Sequence, residues 1–164
     1  MQQSSERSTT SLIPSALALL AALALPLPVA HAQTAAASTL EVSPVGVWKT
    51  IDDETGQAKS LIRIVESNGV LSGKIEKLLT PGKENSKCDK CEGELKDQPV
   101  LGMEILKGLR KGDDVWEGGT ILDPNNGKTY RSQLRVVDGG KKIEVRGYIG
   151  IPLLGRSQSW VREQ

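Results

Sequence analysis

Two pairs of residues in this chain combine types and spacing that can do chemistry. Cys88 and Cys91 are separated by two residues, and thiolates so spaced can bind a metal ion, exchange disulfides or form a disulfide with each other. Arg146 and Tyr148 alternate on a predicted strand, where residues two apart point to the same side. A guanidinium and a phenol side by side can hold a carboxylate.

The surroundings of the cysteine pair favour one of its three roles. A structural zinc site needs four ligands, but the chain has no other cysteine and its only histidine is His31. A thioredoxin-like redox centre needs a strand-to-helix context, which the irregular stretch 80–99 does not offer. We therefore expect a local disulfide between Cys88 and Cys91, formed in an oxidising compartment. No metal site is predicted.

Composition excludes several classes of function. His31 lies in the predicted export signal, so the mature chain lacks the usual general base and histidine-dependent catalysis is excluded. Carboxylate chemistry is not excluded, but we expect no enzyme and no cofactor. Without Glu6 and Arg7 of the signal, 20 of 21 basic and 19 of 20 acidic residues remain, and they are interspersed. With few aromatics and no basic block, a nucleic-acid partner is not expected.

Residues 1–32 have the features of a cleaved signal peptide. Arg7 precedes an apolar run at 16–25, and Ala30 and Ala32 supply a small-x-small cleavage site. That run has ten residues, whereas a membrane span needs about 20. The mature chain is therefore predicted to begin at Gln33, to have no membrane span and to be periplasmic or secreted. Residues 33–44 are predicted to form a flexible tether, and 45–163 a single barrel domain.

The rest of the chain alternates apolar and polar residues between turn signals. Asn68 and Gly69 separate two such runs, which is the strongest short hairpin signal. About eight antiparallel strands fit an all-β sandwich or an up-and-down barrel, and we predict the barrel because closure removes exposed edges. The predicted strands cover residues 45–51, 60–67, 70–79, 100–107, 115–122, the hairpin 129–149 (two strands) and 158–162.

The hairpin over 129–149 also predicts its own register. If residues 139–140 form the turn, Leu134 faces Val145 on an apolar side. Gln133 then faces Arg146 on a polar side. A shift by one residue would oppose like charges, which costs roughly 0.2 to 1 kcal/mol per pair. One face of this hairpin is therefore expected to be apolar and the other polar.

Six short motifs carry a resemblance to a known family. They are GVW (46–48), GGTILDP (118–124), NGKTY (126–130), RGYIG (146–150), GR (155–156) and WVR (160–162). In this order they resemble the bacterial family called domain of unknown function 2147. The resemblance implies an exported lipocalin-like barrel, and it brings no catalytic residues. The Gly-x-Trp motif and the terminal arginine are also similar to the lipocalin arrangement in which an arginine covers a tryptophan. We therefore expect Arg162 to lie against Trp48 where the first and last strands meet.

These observations predict a protein that binds a small apolar or amphipathic molecule without transforming it. Arg146 and Tyr148, with Arg131 beside them, are the candidate ligand contacts, because an Arg-x-Tyr pair is similar to the one in fatty-acid-binding barrels. The predicted register sets all three on the polar face, so the alternative is that they are solvated. The alternative function is a non-enzymatic envelope interaction module with a filled barrel, and no protein partner is identified.

Overall fold

A computed structural model describes residues 42–163 of the chain. The predicted signal peptide, its cleavage before Gln33 and most of the predicted tether lie outside the described residues. The described part holds eight strands: β1 (Gly46–Ile51), β2 (Ala58–Ser67), β3 (Val70–Leu78), β4 (Glu104–Lys111), β5 (Trp116–Asp123), β6 (Lys128–Val137), β7 (Lys142–Tyr148) and β8 (Arg156–Arg162). No helix within residues 42–163 is long and apolar enough to cross a membrane.

The strands form a closed antiparallel barrel in sequence order. Each strand pairs with the next, and β8 returns to pair with β1 through Trp48↔Arg162 and Lys49↔Val161. The predicted eight-stranded up-and-down barrel is confirmed. Closure gives every strand two neighbours, so the barrel has no open edge to recruit another chain.

Alternation of direction divides the connections between two ends. What we call the Trp48 end carries the segment before β1, the β2–β3, β4–β5 and β6–β7 turns, and the end of β8. What we call the Cys88 end carries the β1–β2, β3–β4, β5–β6 and β7–β8 connections. The turns at the Trp48 end are short, whereas the longest connection, between β3 and β4, lies at the Cys88 end.

Both predicted hairpins are present. Asn68 and Gly69 have φ of 52° and 73°, the positive values that a type I′ turn requires. In the β6–β7 hairpin Leu134 pairs with Val145 and Gln133 with Arg146, so the predicted register is confirmed. The connection is longer than predicted, because pairing ends at Val137↔Lys142 and residues 138–141 all belong to the turn.

The fourth strand was predicted too early, at 100–107. It runs from Glu104 to Lys111, because backbone hydrogen bonds fold the preceding residues into a turn: Val100 N donates to Ser86 O at 2.9 Å and Gly102 N donates to Ile75 O at 2.8 Å. Of the apolar residues that suggested a strand there, Val100 and Met103 are buried as loop residues, whereas Leu101 is exposed. The last strand differs in the opposite direction: β8 begins at Arg156, two residues before the predicted start.

The interior is filled mainly by aliphatic side chains and two tryptophans. A bulge around Gly108, whose φ is 78°, turns both Leu106 and Leu109 inward although they are three residues apart. The strand residues of the buried apolar cluster are Trp48, Ile62, Ile64, Leu71, Ile75, Ile105, Leu106, Leu109, Leu122, Leu134, Ile143, Val145 and Trp160.

Candidate functional site

Trp48 and Arg162 join the first and last strands at the Trp48 end. The guanidinium carbon of Arg162 lies 4.1 Å from the centroid of the Trp48 ring, the contact expected from the sequence. The fully buried Trp48 donates its indole N–H to Pro44 O at 2.7 Å. Ring, cation and backbone therefore close this end of the barrel together.

The Arg162 guanidinium also collects carbonyl groups from separate segments. Its Nε donates to Gly140 O at 2.6 Å, its Nη1 to Val45 O at 3.0 Å and its Nη2 to Ser43 O at 2.7 Å. The acceptors belong to the β6–β7 turn and to the segment before β1. A planar fork with several donors suits this role, which a lysine ammonium does not reproduce. These contacts give Arg162 a structural role.

The cysteine pair lies buried at the opposite end. Cys88 and Cys91 form a disulfide with a Cα–Cα distance of 5.3 Å, and both residues are buried in the cluster of the barrel core. Val100 and Met103 of the same connection are buried beside them. The β5–β6 turn covers this loop so closely that a side chain at Gly127 would collide with its backbone. The β3–β4 connection is thus packed tightly onto the Cys88 end of the barrel, which the sequence did not predict.

Arg146, Tyr148 and Arg131 lie on the outside of the barrel wall. Arg131 pairs with Tyr148 across β6 and β7, and neighbouring Val145 points inward and is buried, so alternation turns Arg146 outward. Arg131 is exposed and Arg146 half-buried. Their arrangement is the solvated polar face that the register allowed. The ligand contact stays a prediction from sequence, and their position outside the wall gives it no support.

Arg146 has a different use in the fold. Its Nε donates to Pro152 O at 2.6 Å, its Nη2 to Leu153 O at 3.1 Å and its Nη1 to Ser157 Oγ at 2.7 Å. The side chain therefore fastens the β7–β8 connection to the barrel wall. No sequence signal distinguishes this loop-holding role from ligand binding, because both use the same donors.

Two polar atoms inside the wall lack a hydrogen-bond partner among the described residues. They are Ser132 Oγ and Trp160 Nε1, and their residues are 0% and 1% exposed. Buried polar groups are nearly always paired, so each unpaired one requires an explanation. The predicted register could have identified Ser132, since it places this serine opposite Gly147 on the apolar face. Trp160 was expected only to pack.

A surface groove of about 440 Å³ lies at the Trp48 end. Its apolar floor includes Trp116 and Val136, and its rim carries Glu66, Asp113 and Asp114. The acidic rim would repel a carboxylate ligand. No group of three His, Cys, Asp or Glu side chains within residues 42–163 is placed to hold a metal ion.

The β1–β2 loop surrounds the Asp52 carboxylate with hydrogen-bond donors. Asp52 accepts hydrogen bonds from Thr55 N at 2.8 Å and Thr55 Oγ1 at 3.0 Å, and it pairs with Lys59 at 3.2 Å. These contacts, the Thr55 backbone bond foremost, favour the ionised carboxylate and lower the pKa of Asp52 to about 2. The direction marks a structural turn, since an acid catalyst requires a raised pKa.

Comparison with known proteins agrees with this geometry. The bacterial family described as "Uncharacterized protein conserved in bacteria (DUF2147)" matches residues 46–162, from β1 to the end of β8. The chain belongs to the DUF2147 family. No curated protein is significantly similar to it.

A solved structure extends the comparison to the fold. Protein HP1028 from the human pathogen Helicobacter pylori, which belongs to the lipocalin family, is similar with a TM-score of 0.65 and 21% sequence identity. The match covers 75% of this chain and 84% of that protein. This DUF2147 protein therefore has a lipocalin-like barrel, and at this identity the likeness concerns the fold alone.

Proposed function

We propose that this DUF2147 protein is exported and binds a small amphipathic molecule inside its barrel without transforming it. A closed lipocalin-like barrel is suited to holding a small ligand in its interior. The observation that carries the proposal is the pair of buried polar atoms, Ser132 Oγ and Trp160 Nε1, that face inward and have no hydrogen-bond partner among residues 42–163.

The chemistry of these two atoms defines the ligand they would accept. The indole N–H of Trp160 only donates, so it needs an acceptor such as a carbonyl, carboxylate or ether oxygen. The Ser132 hydroxyl both donates and accepts. The walls around them are aliphatic, with Leu134, Ile143 and Val145 buried nearby in the same strands or their neighbours. An apolar body with one or two oxygen acceptors fits this lining.

Export is supported by two independent features. Residues 1–32 carry the apolar run and the Ala-x-Ala site of a signal peptide. Cys88 and Cys91 are joined in the fold, and disulfides form and persist in oxidising compartments such as the periplasm or the cell exterior. We propose one of these locations.

The test is native mass spectrometry of protein purified from its own envelope, followed by fatty-acid titration. Ser132→Ala removes the hydroxyl and little volume. We expect it to weaken binding roughly 3- to 10-fold, the equivalent of one hydrogen bond. Ser159→Ala, an exposed serine on β8, is the matched control and should bind as the wild type does. If no bound molecule is found and titrated fatty acids do not bind, the proposal fails.

The second candidate function is an interaction module with a filled barrel. It is favoured by the buried apolar cluster, which includes both Trp48 and the Cys88–Cys91 loop at the opposite end. A water molecule would then satisfy Ser132 and Trp160. In this case the native mass spectra of the wild type, Ser132→Ala and Ser159→Ala would all show the protein without a bound ligand.

A further inference from the structure

The β7–β8 connection, residues 149–155, exposes an apolar tip at the Cys88 end. The side chains that form it are Ile149, Ile151, Leu153 and Leu154, with relative exposures of 72%, 55%, 82% and 78%. Large apolar side chains exposed singly are ordinary, but four within six residues form one contiguous patch. Such patches mark interaction sites.

The tip is held in place. Arg146 donates to the carbonyls of Pro152 and Leu153 from the barrel wall, and Pro152 opens a 3-10 turn that extends to Leu154. At the end of the connection, a Cβ on Gly155 would lie 2.6 Å from Gly147 O, so the backbone packs directly on β7. The apolar side chains are therefore presented outward by a preorganised loop, and docking costs little additional ordering.

The charge around the tip is mainly positive. Residues 146–156 include Arg146 and Arg156 and no acidic residue. The adjoining strand β6 adds exposed Lys128 and Arg131. One of these cations, Arg156, is paired with the carboxylate of Asp53 in the β1–β2 loop. An apolar tip above a cationic base is complementary to an anionic membrane surface, where headgroups meet the cations and acyl chains meet the tip.

The size of the patch argues against a second copy of the chain as occupant. Burying an aliphatic side chain removes roughly 60 to 120 Å² of apolar surface, so four remove roughly 240 to 480 Å². A stable protein interface needs about 800 Å² from each partner. A bilayer sets no such minimum, because binding there scales with inserted apolar area and electrostatic attraction.

We propose that the 149–155 tip inserts into the surface of an anionic phospholipid bilayer and docks the barrel there by its Cys88 end. The proposal is independent of any ligand in the interior. It describes peripheral attachment by a loop, with Leu153 and Leu154 as the most exposed anchors and with Lys128 and Arg131 facing the headgroups.

Co-sedimentation with vesicles tests the proposal, using the protein in the form that the cell produces. We expect binding to vesicles of phosphatidylcholine mixed with phosphatidylglycerol, weaker binding to pure phosphatidylcholine, and a decrease with added salt. Leu154→Asp should reduce partitioning into the mixed vesicles at least about tenfold, since it replaces an inserted leucine by a charge. Val65→Asp, on the exposed wall of β2 at 44% exposure, should change it less than about twofold.

The two variants have the same residues before the barrel, so any membrane affinity of those residues cancels in the comparison. Both substitutions are exposed, and circular dichroism with thermal unfolding checks that each variant folds. Absence of binding to the mixed vesicles would overturn the proposal, as would equal binding of Leu154→Asp and Val65→Asp. A dimer in analytical ultracentrifugation that Leu154→Asp dissociates would also overturn it, because the tip would then be covered by a second copy.

Discussion

Replacing Arg162 by alanine should destabilise the barrel more than any comparable change at an exposed arginine. The cation over the Trp48 ring is worth about 1 to 2 kcal/mol when partly desolvated. The bond to Gly140 O, in a buried turn, adds about 1.5 to 3 kcal/mol because its donor is charged. The bonds to Ser43 and Val45 are replaced by water on removal, since both residues are exposed, and contribute little. Allowing for non-additivity, we expect a loss of about 2 to 4 kcal/mol in the free energy of unfolding.

The assay is urea denaturation followed by far-ultraviolet circular dichroism. Tryptophan fluorescence is a poor single probe here, because Arg162→Ala also changes the environment of the Trp48 ring in the folded state. Arg162→Lys keeps the charge but loses the fork, so it should recover only part of the loss. The control is Arg110→Ala, an exposed residue on β4, which should stay within about 0.5 kcal/mol of the wild type. If Arg162→Ala matches Arg110→Ala, the barrel does not depend on this contact for closure.

Three further predictions can be checked independently. Intact mass of the exported protein should correspond to a chain beginning at Gln33, and a mass that retains residues 1–32 would exclude the cleavage. Thiol labelling without reductant should add nothing at Cys88 or Cys91, and free thiols in the folded protein would contradict the disulfide. Replacing both by alanine should lower the free energy of unfolding by at least the roughly 2 kcal/mol of loop-closure entropy, and by more because both residues are buried and their packing is lost. Carbon-detected titration should give the pKa of Asp52 as about 2. The contribution of its contacts to stability is then complete above about pH 4 and is lost as the pH falls through the folded pKa. A midpoint near 4 would contradict the loop geometry.

The role of Arg146 shows why a strand pattern leaves function open. The sequence places Arg146 and Tyr148 on one face and predicts that this face is polar, and the observed register agrees. Whether a polar face lines the interior or the exterior depends on which side the other seven strands enclose. Here they enclose the side of Leu134 and Val145, and the guanidinium outside is taken up by the β7–β8 loop.

Local patterns determined the elements of this protein. Alternation, the Asn68-Gly69 turn and the charge pairing of the β6–β7 hairpin act between residues close in the chain, so they could be interpreted without coordinates. The GVW and WVR motifs likewise indicated that the first and last strands meet. The limit of such patterns appears at Val100 and Met103, whose apolar alternation predicted a strand but serves a loop.

Only the tertiary structure decided what the barrel contains and what it exposes. The burial of the Cys88–Cys91 loop requires the β5–β6 turn to pack against it, and these two segments are more than 30 residues apart in the chain. Ser132 Oγ and Trp160 Nε1 lack a hydrogen-bond partner because the neighbouring described strands place no polar group within reach of them. The exposure of the 149–155 tip depends on the same long-range packing, because sequence shows that side chains are apolar but burial depends on what the rest of the chain places against them.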